Sequence, residues 1–547
     1  MSCELTADVC VVGAGPAGVI VALEYARRRP DRRVLLLEYG RPGAPARNGL
    51  DDTIRNLNPT NHHDPYDCTN KGLGGTSATW GGRCVMYDAV DFTDRPAYRG
   101  ECTWDESFLR ETEPYVGAAQ AYFECEGGGF TLTGRAAERR IAEGFVPGDV
   151  TDTALERWSL PTRFGPRYRA ELAATRNLTV AEGVEARSFP APDGKGRVTE
   201  MAARVTATGQ AVRVRAGRYV LAAGGQETTR LLLRSPAMFA GRGGPPDALG
   251  RYYQSHVSGK IAGVRFRGDP RKTDFFFGRD GEGCYYRRRF QLSREAIVRE
   301  NLLNAAVWLD NPLYHDPGHG NGAMSFMYLM MVTPWLGSRL APPALAKAFT
   351  QGRAHRVGAH VGNVLAGLPG SLTVPAEIFV RRYCLRRKLP GIFLYSPRNE
   401  YALHFHAEQV PDRESRMTLG ADGETLEIRY GIRDEDVASV LRTHELIDGW
   451  LRRSGCGELA YWQPEGERAA AVRRVSRDGI HQNGTTRIAD RPERGVVDRD
   501  LRVWGTENVY VCSSSAFPTS GQANPTFFTG VCAVRLARKL AGDDADG

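Results

Sequence analysis

The chain opens on a short apolar, β-branched run, Asp8-Val9-Cys10-Val11-Val12, that leads straight into glycines; from Val19 to Arg28 the apolar residues then take helical spacing. This order predicts a strand, a tight turn and a helix. A second apolar strand, Val34-Leu35-Leu36-Leu37, ends on an acid, Glu38, twenty residues past Gly18. Much later, His404 and His406 alternate with Phe405, and the two-residue period of a strand puts both imidazoles on one face. The longest apolar run, Met324 to Leu336, contains Pro334 and is too short to span a bilayer, so it reads as a core element. No solenoid-length repeat is present.

The glycines at the first turn, Gly13-Ala14-Gly15-Pro16-Ala17-Gly18, have separable duties. Gly13 permits the turn, Gly15 lets the backbone approach a pyrophosphate, and Gly18 lets the helix pack closely on the strand. The helix N-terminus then turns its unpaired amides and positive dipole end toward the phosphates. Glu38 stands where a carboxylate accepts from both ribose hydroxyls, and an acid there disfavours a 2′-phosphate. The residues leave FAD and NAD as the dinucleotides.

At 547 residues the chain exceeds what one core supports, so a cofactor domain with a substrate domain is expected. Apolar residues make up 41% and charged residues 25%, which excludes a disordered chain. Eleven cysteines form no CxxC pair and no Cys/His cluster at zinc spacing, so no metal is expected and a reduced interior fits best. About six residues precede the first strand, too few for a secretory leader, and the expected location is the cytoplasm. The formal charge of +8 is concentrated: residues 338–388 hold nine Lys or Arg against Glu377 alone. Ile378, Phe379, Val380, Tyr383 and Leu385 interleave with these cations, giving a basic amphipathic stretch that fits peripheral contact with anionic lipid or a protein, or a solvated helix face. No nucleic-acid motif is present, and no nucleic-acid partner is expected.

Further segments resemble the glucose-methanol-choline (GMC) oxidoreductase family, nearest to bacterial members like pyranose oxidases. Leu73-Gly74-Gly75-Thr76-Ser77-Ala78-Thr79-Trp80-Gly81-Gly82 is similar to the family's loop beside the flavin. Arg218 to Gly225, continuing to Leu232, resembles the strand and helix that return to the cofactor domain, and Gly250 to His256 a further family segment. The most specific match is the closing block, His481-Gln482-Asn483-Gly484-Thr485-Thr486-Arg487, then Phe517-Pro518-Thr519 and Asn524-Pro525-Thr526.

The resemblance implies an α/β fold: a discontinuous Rossmann-like FAD-binding domain from 1–90, 180–255 and 478–547, and an α+β substrate domain, on a mainly antiparallel sheet, from 91–179 and 256–477. It implies FAD held by Gly13, Gly15, Pro16, Ala17, Gly18, Glu38, Gly75, Thr76, Thr79, Trp80, Gly81, Gly82, Val184, Ala223, Gly224, Ser515, Asn524, Pro525 and Thr526. Relatives that attach FAD covalently have a histidine before the loop tryptophan. Thr79 stands there, so noncovalent FAD is expected. Ser513 occupies a place where many relatives have an aspartate. Oxidising an alcohol removes a proton as well as a hydride, and an imidazole is suited to accept it. His481 is the candidate base and Asn524 the group that holds the substrate oxygen, while His406 and Gln409 are either substrate contacts or ordinary sheet residues. The substrate implied is an alcohol, namely a sugar, aminosugar or glycoside, as in natural-product biosynthesis, with O2 or another acceptor taking the electrons. A sterol or terpene alcohol, or a lyase or isomerase reaction that keeps FAD without net redox chemistry, are the alternatives.

Overall fold

A computed structural model describes residues 3–46, 53–333, 335 and 355–543. Strand Cys3–Val12 pairs in parallel with Val34–Glu38 on one side and Ala211–Leu221 on the other. Leu178–Glu182 extends the sheet beyond Val34–Glu38, and Val509–Val511 pairs in parallel with the end of Ala211–Leu221. Because these strands run the same way, Val12, Leu37, Leu221 and Val511 finish at one edge, which is where the crevice of an open parallel sheet forms. Met201–Val205 and Val184–Ser188 continue the sheet antiparallel. The strand Val34–Glu38 is buried along its whole length, as its unbroken apolar run requires of a sheet covered on both faces. Helices Pro16–Arg28 and Pro525–Asp543 pack together over it, so the two ends of the chain share one core.

The second sheet is antiparallel, in the order Gly457–Tyr461, Val257–Phe266, Glu400–Ala407, Ala305–Asp310, Phe290–Leu292, Val150–Thr151. Its alternation separates two faces. Leu403, Phe405, Val257, Val307 and Leu309 enter a core closed by the helix Asp434–Arg453, whereas His404, His406 and Trp308 take the opposite face.

The segment 91–179, expected wholly in the substrate domain, is divided by the structure. Phe92, Trp104, Phe108, Tyr122, Phe123, Phe164 and Tyr168 pack in the core of the parallel sheet, and only Ile141, Ala142, Phe145 and Val150 join the other core. The reason is the aromatic content of 91–168: those rings cover the helix Pro525–Asp543, with Phe528 in contact with Phe92, Trp104 and Phe108.

The run Met324 to Leu336 is helical as far as Val332, in the helix Gly322–Val332, and carries Met324 and Tyr328 into a third cluster. Among the described residues no single helix is long and apolar enough to cross a membrane. The ten cysteines with described side chains are free thiols, and Cys384 is the exposed one. Of the basic stretch, Arg339, Lys347 and Arg353 lie outside the described residues; the remainder forms the helices Val357–Ala366 and Gly370–Phe379 and a following turn, Val380–Cys384.

Candidate active site

One cavity of about 610 Å³ runs from the first glycine turn to the closing block. Gly13, Gly15, Pro16, Ala17 and Glu38 line one part of it, Gly75, Thr76, Thr79, Trp80 and Gly81 another, and His481, Asn524, Pro525 and Thr526 a third, with Val184, Ala223 and Gly224 between. Segments nearly five hundred residues apart meet because each leaves the same edge of the parallel sheet. Gly13 donates to Leu37 O at 2.8 Å, Ala222 to Val12 O at 2.8 Å and Cys512 to Leu221 O at 2.8 Å.

Three helices begin at this cavity: Pro16–Arg28, Gly224–Leu233 and Pro525–Asp543. Two of them start on proline, whose missing N–H costs nothing at a first helical position. All three turn positive dipole ends toward the same space, an arrangement suited to an anionic ligand.

Gly18, Gly82, Ser515, Gln409 and His406 are expected contacts that do not line the cavity. Gly18 packs instead of lining the cavity: a Cβ there would come within 1.8 Å of the Gly13 carbonyl oxygen. Gly82 is pressed against Ser159 and Pro161. Ser515 turns away to accept from Thr486 at 2.7 Å, and its neighbours Ser513 and Ser514 line the cavity in its place. Gln409 accepts from Ser255 N at 2.9 Å and donates to Gly431 O at 3.2 Å, so it braces a loop crossing outside the cavity. Glu38 is present but already engaged. One oxygen accepts from Ala14 N at 2.9 Å; the other accepts from Gly40 N at 2.9 Å and Gly72 N at 2.8 Å. Burial pushes its pKa up, and the three amides oppose that. Its first duty is therefore to clasp three turns.

The chemistry concentrates on His481. Its Nε2 is 2.8 Å from Asn524 Nδ2, and its Nδ1 is 3.1 Å from Asp478 Oδ2 and 2.9 Å from His256 Nδ1. An amide N–H donating to Nε2 leaves the ring proton on Nδ1, where the carboxylate accepts it. Asp478 is itself fixed, its other oxygen accepting from Gly479 N at 2.8 Å and Ile480 N at 2.9 Å. Burial pushes its carboxyl up, but the imidazoles of His481 and His256 outweigh that and hold it well below the usual carboxylate range.

Behind His481, His256 and His406 stack at 4.1 Å and 19°. His406 thus reaches the cluster without lining the cavity. It stands 5.5 Å, ring to ring, behind His481. Nitrogens of the three histidines lie within 4.8 Å of one another. Stacked rings carry parallel in-plane lone pairs, whereas two imidazoles on one metal aim theirs at a single point about 2.0–2.1 Å away. His256 and His406 are therefore a stacked pair, set perpendicular to the ring of His481. Burial drives His256 down to about 4 and His406 well below the ordinary histidine value, keeping both neutral.

That burial has a consequence for stability. His256, and likewise His444 in the helix Asp434–Arg453, is held down to about 4, so the unfolded chain takes up these protons first as the pH falls below about 6.5. Their contribution is whole above that pH and is lost toward pH 4, each costing about 2 kcal/mol at pH 5. Thermal melts are expected to show a clear loss from pH 7 to pH 5. A flat profile would contradict neutral burial of these rings.

Sequence reasoning missed Asp478, Arg83 and Asn70, and quoted His256 and Gln482 without giving them a role. Arg83 lines the cavity, lies over Trp308 at 4.5 Å and pairs with the buried Glu156. Asn70 donates to Thr79 Oγ1 at 2.9 Å, and the Gln482 side chain accepts from Gln226 N at 3.0 Å. Asp478 alone left a signal, an acid three residues before the candidate base.

Residues 411–533 match the family model described as GMC oxidoreductase. That stretch of the chain is similar to the GMC oxidoreductases. Over 135 residues the chain is 27% identical to paromamine 6′-oxidase of Streptomyces fradiae, a match spanning 24% of the chain and about a quarter, 23%, of that relative. Across the whole length its fold is similar to that of formate oxidase, with a TM-score of 0.55 and 17% identity, each chain covered to 100%. Pyridoxine 4-oxidase from Mesorbium loti matches with a TM-score of 0.50 and 16% identity, covering 97% of this chain and 98% of its own.

FAD is the cofactor this similarity brings, and the cavity suits it. A Cβ added at Gly15, Gly81 or Gly224 would meet no atom within 4 Å, so three glycines leave open space along the cavity where side chains would intrude. At the other end Asn524 Oδ1 is buried with no hydrogen-bond partner among the described residues.

Proposed function

We propose that this protein is an FAD-dependent GMC oxidoreductase that oxidises a hydroxyl of a sugar, aminosugar or glycoside to the aldehyde or ketone. The observation that carries the reading is His481, held at the cavity wall by Asp478 through one nitrogen and Asn524 through the other. FAD, noncovalently bound in a Rossmann-like domain, supplies the acceptor for the hydride of the carbinol carbon. An alcohol entering between Asn524 and His481 replaces their direct bond: its oxygen accepts from the Asn524 amide and its proton passes to His481 Nε2. Asp478 stabilises the imidazolium so formed, and the stacked neutral pair His256 and His406 limits its rotation. The N-terminal end of Pro525–Asp543 favours negative charge in the same space.

The saccharide class is supported by the paromamine 6′-oxidase match; O2 or another acceptor closes the cycle. Anaerobic addition of sugars, aminosugars and glycosides to the purified yellow protein is expected to bleach its flavin absorbance. Bleaching only by sterol or terpene alcohols would move the substrate to lipids. Turnover without bleaching would favour a lyase or isomerase and overturn the oxidoreductase reading.

A further inference from the structure

We propose that the helices Val357–Ala366 and Gly370–Phe379, with the cationic turn after them, dock this enzyme on an anionic membrane surface. The proposal is independent of the substrate class. Val357, Val361 and Leu365 recur every four residues along the first helix and are 42%, 42% and 64% exposed. Leu368, Leu372, Phe379, Val380 and Tyr383 continue an exposed apolar surface past the bend. Such a contiguous patch on a soluble fold marks a contact site.

The opposite side of the pair is firmly seated. His360 is buried, stacked on Tyr328 at 4.1 Å and bonded to Ser325 Oγ at 3.0 Å, while Ile378 joins the third core cluster. Val357–Ala366 and Gly370–Cys384 together have the length and apolar composition of a membrane span, yet they bend by 91°. A right-angled pair fixed to a folded platform lies in the headgroup region and does not cross it.

Charge selects the occupant. Among the described residues of this stretch, Arg356, Arg381, Arg382, Arg386, Arg387 and Lys388 stand with a single acid, Glu377; from outside it Asp316 lies 3.9 Å from Arg356 and Glu124 3.9 Å from Arg386, which leaves the excess positive. Arg382 and Arg387 are tied to backbone carbonyls at 3.0–3.2 Å, which stiffens the turn, and Arg386 is 87% exposed at the side chain. Cations bordering an apolar surface match anionic headgroups over acyl chains. A second copy meeting this face about a two-fold axis would set two cationic turns against each other.

Flotation of the holoenzyme with phosphatidylcholine vesicles, with and without phosphatidylglycerol, tests the proposal. An environment-sensitive dye on the exposed thiol of Cys384 reports burial of the turn. Binding is expected with phosphatidylglycerol, weakening at high salt, with a blue-shifted dye. Arg386→Gln and Lys388→Gln are each expected to weaken it about fivefold. Leu365→Asp with Phe379→Asp is expected to abolish both flotation and shift, while FAD content and alcohol-dependent bleaching stay unchanged. No binding to anionic vesicles, equal binding by the variants, or a dimer that the Asp variants dissociate would each overturn it.

Discussion

Replacement of His481 by alanine is expected to leave FAD bound and to slow flavin reduction by alcohol by about 10²–10⁴-fold, the usual worth of a positioned general base. Retention of FAD follows from where the contacts lie: the glycine turns and three helix starts along the cavity are untouched by losing one imidazole. Loss of rate follows because Asp478 and the two neutral histidines offer no substitute at the same place. Asp478 stays ionised through its imidazole partners, yet its carboxylate sits on the Nδ1 side of the ring, away from Asn524. Stopped-flow reduction under anaerobic conditions measures the effect, and an unchanged rate would remove His481 as the base.

Asp478→Asn is expected to be comparably severe, for a reason that a lost charge alone does not cover. The oxygen bonded to Gly479 N and Ile480 N must remain an acceptor, so the new amide places its NH2 group toward His481 Nδ1. A donor there makes Nδ1 the acceptor and puts the ring proton on Nε2, the nitrogen that has to receive the substrate's proton. An aspartate-to-asparagine exchange that imposes the wrong tautomer in a Ser-His-Asp triad costs about 10⁴-fold. The expected signature is intact FAD binding, a large fall in reduction rate, and an altered pH dependence of the residual rate. A purely structural role would lower FAD content or melting temperature without moving the pH profile.

Much of the site was legible because its parts are local. The turn at Gly13 to Gly18 joins a β-branched strand to a helix, and its steric demands appear as glycine wherever they occur. His481 and Asn524 stand in short segments of recognisable composition, and the structure brings them within hydrogen-bonding distance. Gly18 shows how one motif hides two duties, since it fits the pattern but serves packing. Glu38 shows the converse: its position at a strand end was evident, but the claim of three backbone amides on its carboxylate was not, because Gly72 belongs to a distant loop. Gln409 and His406 were placed by position along the chain, which carries no record of the direction a side chain takes once strands pair.

The sequence by itself determined the parallel-strand nucleus, the glycine turns, and the residue types able to move a proton. Each depends on backbone sterics or side-chain chemistry within a few residues. Tertiary structure alone decided that most of 91–168 joins the core of the parallel sheet, that Asp478 and His256 flank His481, and that Val357, Val361, Leu365 and Phe379 point outward. Those outcomes depend on which surfaces meet after long excursions of the chain, and contact between surfaces is a property of the packed fold.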